Sequence, residues 1–596
     1  MSETKKPETR EEDSWFSEAQ LEHLAPADHA DRERLPIPTQ MVSNGEYVPV
    51  PQTEKQKEVE QRVKALSERA ARELGMSRRK FLATTGGFAA SFLAMNEVFG
   101  RFFDVRPIDL LVPEAYAENA PQGVFVFDDQ THIIRSSRVG PGNALRDIAE
   151  GNHNSFNPSD QPDELGGINT PWNPALVGLP NLNENFHLTQ YMKDVYLDSQ
   201  VTVAIMTNNN SAAIPGAGGS RPPKNVAESE ANEILTAEQT MATRDWVNQI
   251  SGSRRMLGHG QLYTGKGNLY FIADQIERLK PDSWKGYNIA TAAKVDFDPN
   301  SDMRRWRLDD PEVAYPTYDL IDQYASKDNG ALVRKYPGFR NLSIHKGLST
   351  NAGPDPELGH PSDIPAAARD WPQFNFIIYH SCIRPGFWVM NALNDIRSGV
   401  LREGVPDILW TTEMAVLAAP FPNVYAEIGT TFASSVITFP TVCAHILGQL
   451  LKFMGEDRIM FGSDTVWYGS PQWQIEALWR FQIPEELCRK YGYPRLTPTA
   501  KRKILGLNSA RLYGLNPPHN TVSPAIYKPI PKDYASRMTL ELKQILEDPS
   551  VPPRAAAPGN AFAQYANDGL AKMKQSYAEA GGTRSNTRYG WLRTDA

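Results

Sequence analysis

From residue 124 onward the chain repeats one arrangement: a short run of apolar, β-branched or aromatic residues, then a longer stretch with apolar positions spaced by three and four. The short runs predict strands at 124–132, 201–207, 256–263, 283–287, 342–345, 374–380, 424–428 and 459–464. Strands alternating with helices build a parallel sheet, and eight of them close a barrel. The expected fold class is therefore α/β, a (β/α)8 TIM barrel occupying residues 121–515. That span exceeds the ~250 residues typical of the fold. Polar segments rich in Gly, Asn and Pro at 140–182, 208–225 and 294–309 are the expected loop insertions, placed to shape the barrel mouth.

Two further regions flank the barrel. Residues 1–75 form a charged N-terminal extension with one predicted helix, whose apolar stripe is Val59, Val63, Leu66, Ala70 and Leu74. Residues 76–120 then carry Ser77-Arg78-Arg79-Lys80-Phe81-Leu82, a weakly apolar Gly/Ala run over 83–100 and Ala115-Tyr116-Ala117. This resembles a twin-arginine export signal with its cleavage site, and the run is too polar to span a membrane. It implies the twin-arginine export machinery as a partner and a periplasmic or otherwise exported location. Its place behind 75 residues leaves a cytoplasmic protein as the alternative. Residues 516–596 form a Pro-rich tail with helical patterns at 537–547 and 561–580, expected to clasp the barrel or the neighbouring subunit of a homodimer.

Composition narrows the chemistry. With 40% apolar and 22% charged residues among 596, the chain can bury a large core. A net charge of −8 without a basic stripe excludes nucleic acid as a partner and leaves a small-molecule substrate. Three cysteines, Cys382, Cys443 and Cys488, make neither a disulfide framework nor a zinc ribbon, so any metal falls to histidine and carboxylate. The glycine-rich stretch at 215–219 lacks the Lys-Ser/Thr of a phosphate loop.

Histidine placement carries the functional signal. In the first strand Gln130 and His132 stand two residues apart, on one face of an alternating strand. His345 ends the fifth strand, His380 the sixth, and Asp464 closes the eighth. On a parallel barrel these ends converge at one mouth, where such folds place their chemistry, and a metal site is the reading that convergence favours.

The stretches FDDQTH, SIHKGL, FIIYHS and RIMFGSDTVWYGSPQ, with the closing ILGLNSARLYGL, resemble the amidohydrolase-related proteins. More narrowly, they resemble the branch that includes the aminocarboxymuconate semialdehyde decarboxylase-like enzymes. The resemblance implies His132, His345 and Asp464 as ligands of one divalent ion, with His380 as base and Asp464 as a second proton acceptor. Gln130 stands where that family carries His or Glu; it could ligate only through its carbonyl oxygen. Zn2+ suits two imidazoles and a carboxylate, and Mn2+ a more oxygen-rich set. Lys285, His259, Lys346 and Arg384 are the expected substrate-binding residues. Hydrolysis of an amide, ester or lactone by metal-activated water is the leading expectation. Non-oxidative decarboxylation of an unsaturated or aromatic acid is the second, and a metal-free barrel serving as a binding protein the third.

Overall fold

A computed structural model of the chain describes residues 35–41, 47, 52–119, 121, 123–134, 187–208, 235–288, 306–347, 358–384, 388–515, 565–580 and 582. The insertion at 140–182, nearly all of those at 208–225 and 294–309, the extension before residue 35 and the tail pattern at 537–547 lie outside the described residues.

Eight parallel strands follow one another in chain order: β1 (Phe127–Thr131), β2 (Val203–Met206), β3 (Met256–Leu262), β4 (Ser283–Tyr287), β5 (Asn341–His345), β6 (Asn375–Tyr379), β7 (Val424–Glu427) and β8 (Ile459–Met460). Each pairs with the next, β1–β2 through β7–β8. The last meets the first through backbone bonds: Asp129 N–H donates to Phe461 O and Asp464 N–H to Gln130 O, both at 3.0 Å, and Thr131 bridges Thr465 in parallel. This is the TIM barrel the alternating pattern predicts.

Alternation along the strands sorts the core into two layers. In β2, Val203 and Ile205 join one apolar cluster while Ala204 and Met206 join the other. In β6, Ile377 and Tyr379 part from Phe376 and Ile378 in the same way. The smaller cluster, with Phe127, Leu257, Tyr425, Met460 and Tyr513, fills the barrel interior; the larger one lies between strands and helices.

β1 departs from strict alternation. Its register against β2 shifts between Asp128 and Thr131. Strict alternation from the inward Phe127 would turn Gln130 and His132 outward. The irregularity turns both to the side of Asp464, while Thr131 points away and bonds Tyr191 and Ile205 O. Bulges beside active sites commonly re-aim side chains in this way.

The N-terminal region is built into the same body. Helix α1 (Glu54–Glu73) starts on a capping box between Thr53 and Gln56 and buries Val59, Val63 and Ala70, as its stripe predicts. Helices α2 (Arg78–Leu82) and α3 (Thr85–Phe99) come from the signal-like stretch, and α3 packs on α1. Gly86 is needed there because a Cβ would stand 2.6 Å from the Phe81 ring. Helix α4 (Pro113–Glu118) contains Ala115 and Tyr116, both buried. Among the described residues no helix is long and apolar enough to cross a membrane.

Helix α5 (Ala237–Ser251) precedes β3, and at the other end of the chain Tyr565, Asp568 and helix α6 (Gly569–Glu579) clasp the chain's own barrel. Arg255 Nε donates to Asp568 Oδ2 at 2.7 Å, and α6 packs on α5.

Candidate active site

The carboxyl ends of β1, β5, β6 and β8 bring the chain's expected anchors to one mouth. His132 Nε2 lies 3.1 Å from Asp464 Oδ1. Gln130 Nε2 donates to the same oxygen at 3.0 Å and lies 3.3 Å from His132 Nε2. His345 packs edge-on against His380, ring centres 4.6 Å apart, and stacks on Tyr287 at 4.7 Å. All five anchors are buried. Three strands end in non-glycine residues in the left-handed region: His380 at φ 59°, Thr430 at 54° and Asp464 at 57°. Such backbone costs about 1–3 kcal/mol per residue and persists where surrounding contacts enforce it, often at functional sites.

Electrostatics divide the roles. Burial opposes charge on Asp464, but a hydrogen bond and the charge of His132, the charge of His380 and a hydrogen bond from Thr430 hold its carboxyl below the ordinary range. It is an anion at neutral pH. Thr430 Oγ1 donates to Asp464 Oδ2 at 2.5 Å, so each carboxylate oxygen has its own partners. His380 is the opposite case. Burial lowers it to about 4, with Asp464 pulling upward and Lys285 and His132 downward, so it is neutral. Its Nδ1 lies 3.0 Å from Gly429 O, an acceptor only, which places the ring proton on Nδ1. Nε2 therefore presents a lone pair, buried and without a hydrogen-bond partner.

Beneath this layer lies an acidic floor that strand-end reasoning did not name. Glu427, the last residue of β7, is fully buried; its oxygens accept from the backbone N–H of His380 at 3.1 Å and of Gly429. Burial outweighs those bonds and lifts it to about 8. Asp128 rises to about 7 by burial although Ser463 N–H and Oγ donate to it, and burial with the neighbouring Glu427 lifts Asp129 well above its usual range. Lys285 is the shared counter-charge, acting on Asp129, Glu427 and His380. Its ammonium stands 3.5 Å over the Tyr379 ring, level with His345 in the sheet register. The signal for Glu427 was present in the sequence: an acid closing an apolar run just before Gly429, the same feature that singled out Asp464.

The other expected substrate contacts are held elsewhere. His259 has Ser283 Oγ at 2.8 Å on Nδ1 and Tyr379 OH at 3.1 Å on Nε2, deep in the barrel, and burial keeps it neutral. Lys346 is fully buried and paired with Asp363 at 2.9 Å. Arg384 is half-buried with its charge toward Asp395. Cys382 is buried, its thiol pushed up to about 12, in keeping with a packing role.

Among the described residues, no three His, Cys, Asp or Glu side chains are gathered into a ready metal cage. The donors that are present still fit a divalent ion. The 3.0–3.3 Å separations around His132, Asp464 and Gln130 match the donor spacing of about 3.3 Å implied by bonds of about 2.0–2.1 Å in a tetrahedral shell. Gln130 Oε1 is buried without a hydrogen-bond partner, and turning the amide about its last bond would exchange that oxygen with Nε2. His132, Asp464 and Gln130 Oε1 are the groups whose spacing would suit it, with His345, the expected fourth, lying against His380.

A parallel eight-stranded barrel with histidine, carboxylate and a neutral imidazole at its carboxyl mouth defines a class of (β/α)8 proteins with a polar active centre. Residues 342–515, from β5 through the closing helices, match the family model described as amidohydrolase. Members of the superfamily are mostly metal-dependent enzymes and bind divalent metals. No curated protein matches the chain. Among solved structures, an uncharacterised TIM-barrel protein from Bordetella bronchiseptica is 14% identical over 66% of this chain and 99% of its own, with a TM-score of 0.35. A 5-carboxyvanillate decarboxylase from Sphingomonas paucimobilis is 12% identical over 66% and 99%, with a TM-score of 0.32. A manganese-bound 5-carboxyvanillate decarboxylase from Novosphingobium aromaticivorans is 10% identical over 66% and 99%, at 0.31. Likeness at this level carries no functional weight.

Proposed function

We propose that the protein is a metal-dependent hydrolase acting on an amide, ester or lactone, with Zn2+ the first expected ion and Mn2+ the second. The observation that carries this reading is His380 Nε2: a neutral imidazole nitrogen, lone pair outward, beside the Asp464–His132 pair. A bound divalent ion supplies Lewis acidity to a substrate carbonyl and to water. His380 takes the proton of the attacking water at Nε2, and Gly429 O fixes the tautomer that makes this possible. Asp464, kept ionised, faces His132 with Oδ1, the two groups that would hold the ion between them, and stays in place through Thr430 on Oδ2. The apolar barrel wall excludes bulk water and strengthens each of these interactions.

Lys285 supports a second reading, decarboxylation of an unsaturated or aromatic acid. It is a buried cation, in register with Ser343, whose ammonium stands 3.5 Å over the Tyr379 ring beside the site, suited to holding a carboxylate. Lys346 is engaged by Asp363, and the charge of Arg384 acts on Asp395. The separating experiment is turnover of metal-loaded enzyme on lactone, ester and amide panels beside aromatic and unsaturated acids. Hydrolysis that falls in His380→Asn and is indifferent to Lys285→Met is the expected result. Carbon dioxide release dependent on Lys285 would replace the first reading with the second.

A further inference from the structure

His259, an expected substrate contact, stands instead in a buried chain of hydrogen bonds that crosses the barrel and ends on the strand carrying Gln130 and His132. Ser283 Oγ lies 2.8 Å from His259 Nδ1, His259 Nε2 lies 3.1 Å from Tyr379 OH, and that hydroxyl donates to Asp129 O at 2.5 Å. The four residues come from β4, β3, β6 and β1, and all are fully buried. A backbone carbonyl only accepts, so the one proton of Tyr379 is spent on Asp129. His259 must then donate from Nε2 to the tyrosine oxygen, and its neutral ring accepts from Ser283 at Nδ1. The flanking glycines set the strand that carries it. A Cβ on Gly258 would stand 2.9 Å from Met241 Sδ, and one on Gly260 2.8 Å from the Trp284 ring, so β3 is pressed close to its outer neighbours.

The chain of bonds ends at the point where β1 changes its setting. The peptide joining Asp129 to Gln130 is held at both polar ends: its C=O accepts from Tyr379, and its N–H donates to Asp128 Oδ1 at 3.3 Å. That same oxygen accepts Ser463 N–H at 2.8 Å, one residue before Asp464. Here β1 leaves register with β2, and here it must turn for Gln130 and His132 to face Asp464. A rotation of this peptide would swing Gln130 off its 3.0 Å contact with Asp464. The sheet ladder alone does not prevent that rotation, because β6 is no neighbour of β1 and the tie from Tyr379 crosses the interior. We propose that Tyr379 and His259 are positioning residues of the candidate metal centre: Tyr379, oriented by His259, holds the Asp129 carbonyl in the setting that presents Gln130 and His132 to an ion. The proposal rests on the reading of Gln130 and His132 as metal ligands.

The test uses the full chain with Tyr379→Phe, His259→Asn, His259→Gln and the double variant Tyr379→Phe/His259→Asn. Zn2+ affinity is read by competition with a chromophoric chelator, ligand geometry by the visible absorption of the Co2+ form, and folding by the thermal midpoint. Tyr379→Phe removes one oxygen and keeps the ring under Lys285. It is expected to weaken Zn2+ binding about threefold to tenfold, a modest share of the 10- to 100-fold typical when a ligand's direct partner is lost, and to shift the Co2+ spectrum. The two histidine variants separate positioning from packing. Glutamine carries its amide nitrogen about where Nε2 stands and should restore affinity to within about twofold of wild type, whereas the shorter asparagine should not. His259→Asn should add nothing in the Tyr379→Phe background. A folded Tyr379→Phe protein with unchanged affinity and spectrum would overturn the proposal, as would equal losses in the two histidine variants or effects that multiply. A wild-type chain that takes up neither ion would overturn the ligand reading itself, and the positioning role with it.

Discussion

His132 Nε2 and Asp464 Oδ1 stand 3.1 Å apart, brought from the first and last strands by the closure of the barrel. Gln130 shares that oxygen, so the corner where a stronger ligand would stand holds an amide. Gln130→Glu should tighten divalent-metal binding by about tenfold or more, since an anionic oxygen replaces a neutral one. The same change places a charge beside Asp464 and Glu427, so the metal-free form should melt earlier. Calorimetric titration and melting curves with and without chelator check both signs.

His380→Asn removes the Nε2 lone pair. If that nitrogen is the base, kcat should fall about 10²- to 10⁴-fold while metal content stays at the wild-type level. Steady-state kinetics alongside metal analysis make the comparison.

Glu427 gives the fold a pH signature. Its carboxyl is near 4.5 when exposed and about 8 in the folded protein, so between those values the native state holds a proton the unfolded chain has released. This stabilisation is fully present below about pH 4.5 and is lost as pH rises through about 8, by a few kcal/mol at ~1.4 kcal/mol per unit of pKa difference. Glu427→Gln should flatten the decline in stability across that window, as measured by urea denaturation at a series of pH values.

Gly462 lies against the same carboxyl: a Cβ there would meet Glu427 Oε1 and stand 3.0 Å from the Cβ of Gln130. Gly429 is similarly confined, its Cβ position 2.5 Å from Glu427 Oε1 and 2.8 Å from Gln130 Oε1. Gly462→Ala should cost about 1–3 kcal/mol of stability, the usual range for an overpacked interior. The double variant with Glu427→Ala should recover part of that loss.

Much of this was legible in the sequence. Seven of the eight strands fall within the predicted segments and the fifth begins one residue earlier, at Asn341, because most bury both faces and leave a β-branched or aromatic run between polar turns. His132, His345, His380 and Asp464 stand at strand ends where that pattern put them. Other features depend on contacts distant in sequence. The shift in β1 that turns Gln130 inward is a register effect against β2. Glu427 closes an apolar run as Asp464 does, but the burial that raises its pKa is not written in the sequence. Lys346 looked available until Asp363 met it. The run over 83–100 is ambiguous for a physical reason. A Gly/Ala-rich apolar stretch suits an export signal, and the same small residues let α3 pack tightly on α2.

The most direct test is the metal content of the purified protein after equilibrium dialysis against Zn2+ or Mn2+, compared with Asp464→Asn. One ion per wild-type chain and less than a tenth as much in the variant is the expected result. A wild-type chain that stays empty with both ions, or an Asp464→Asn protein that retains its metal, would contradict it.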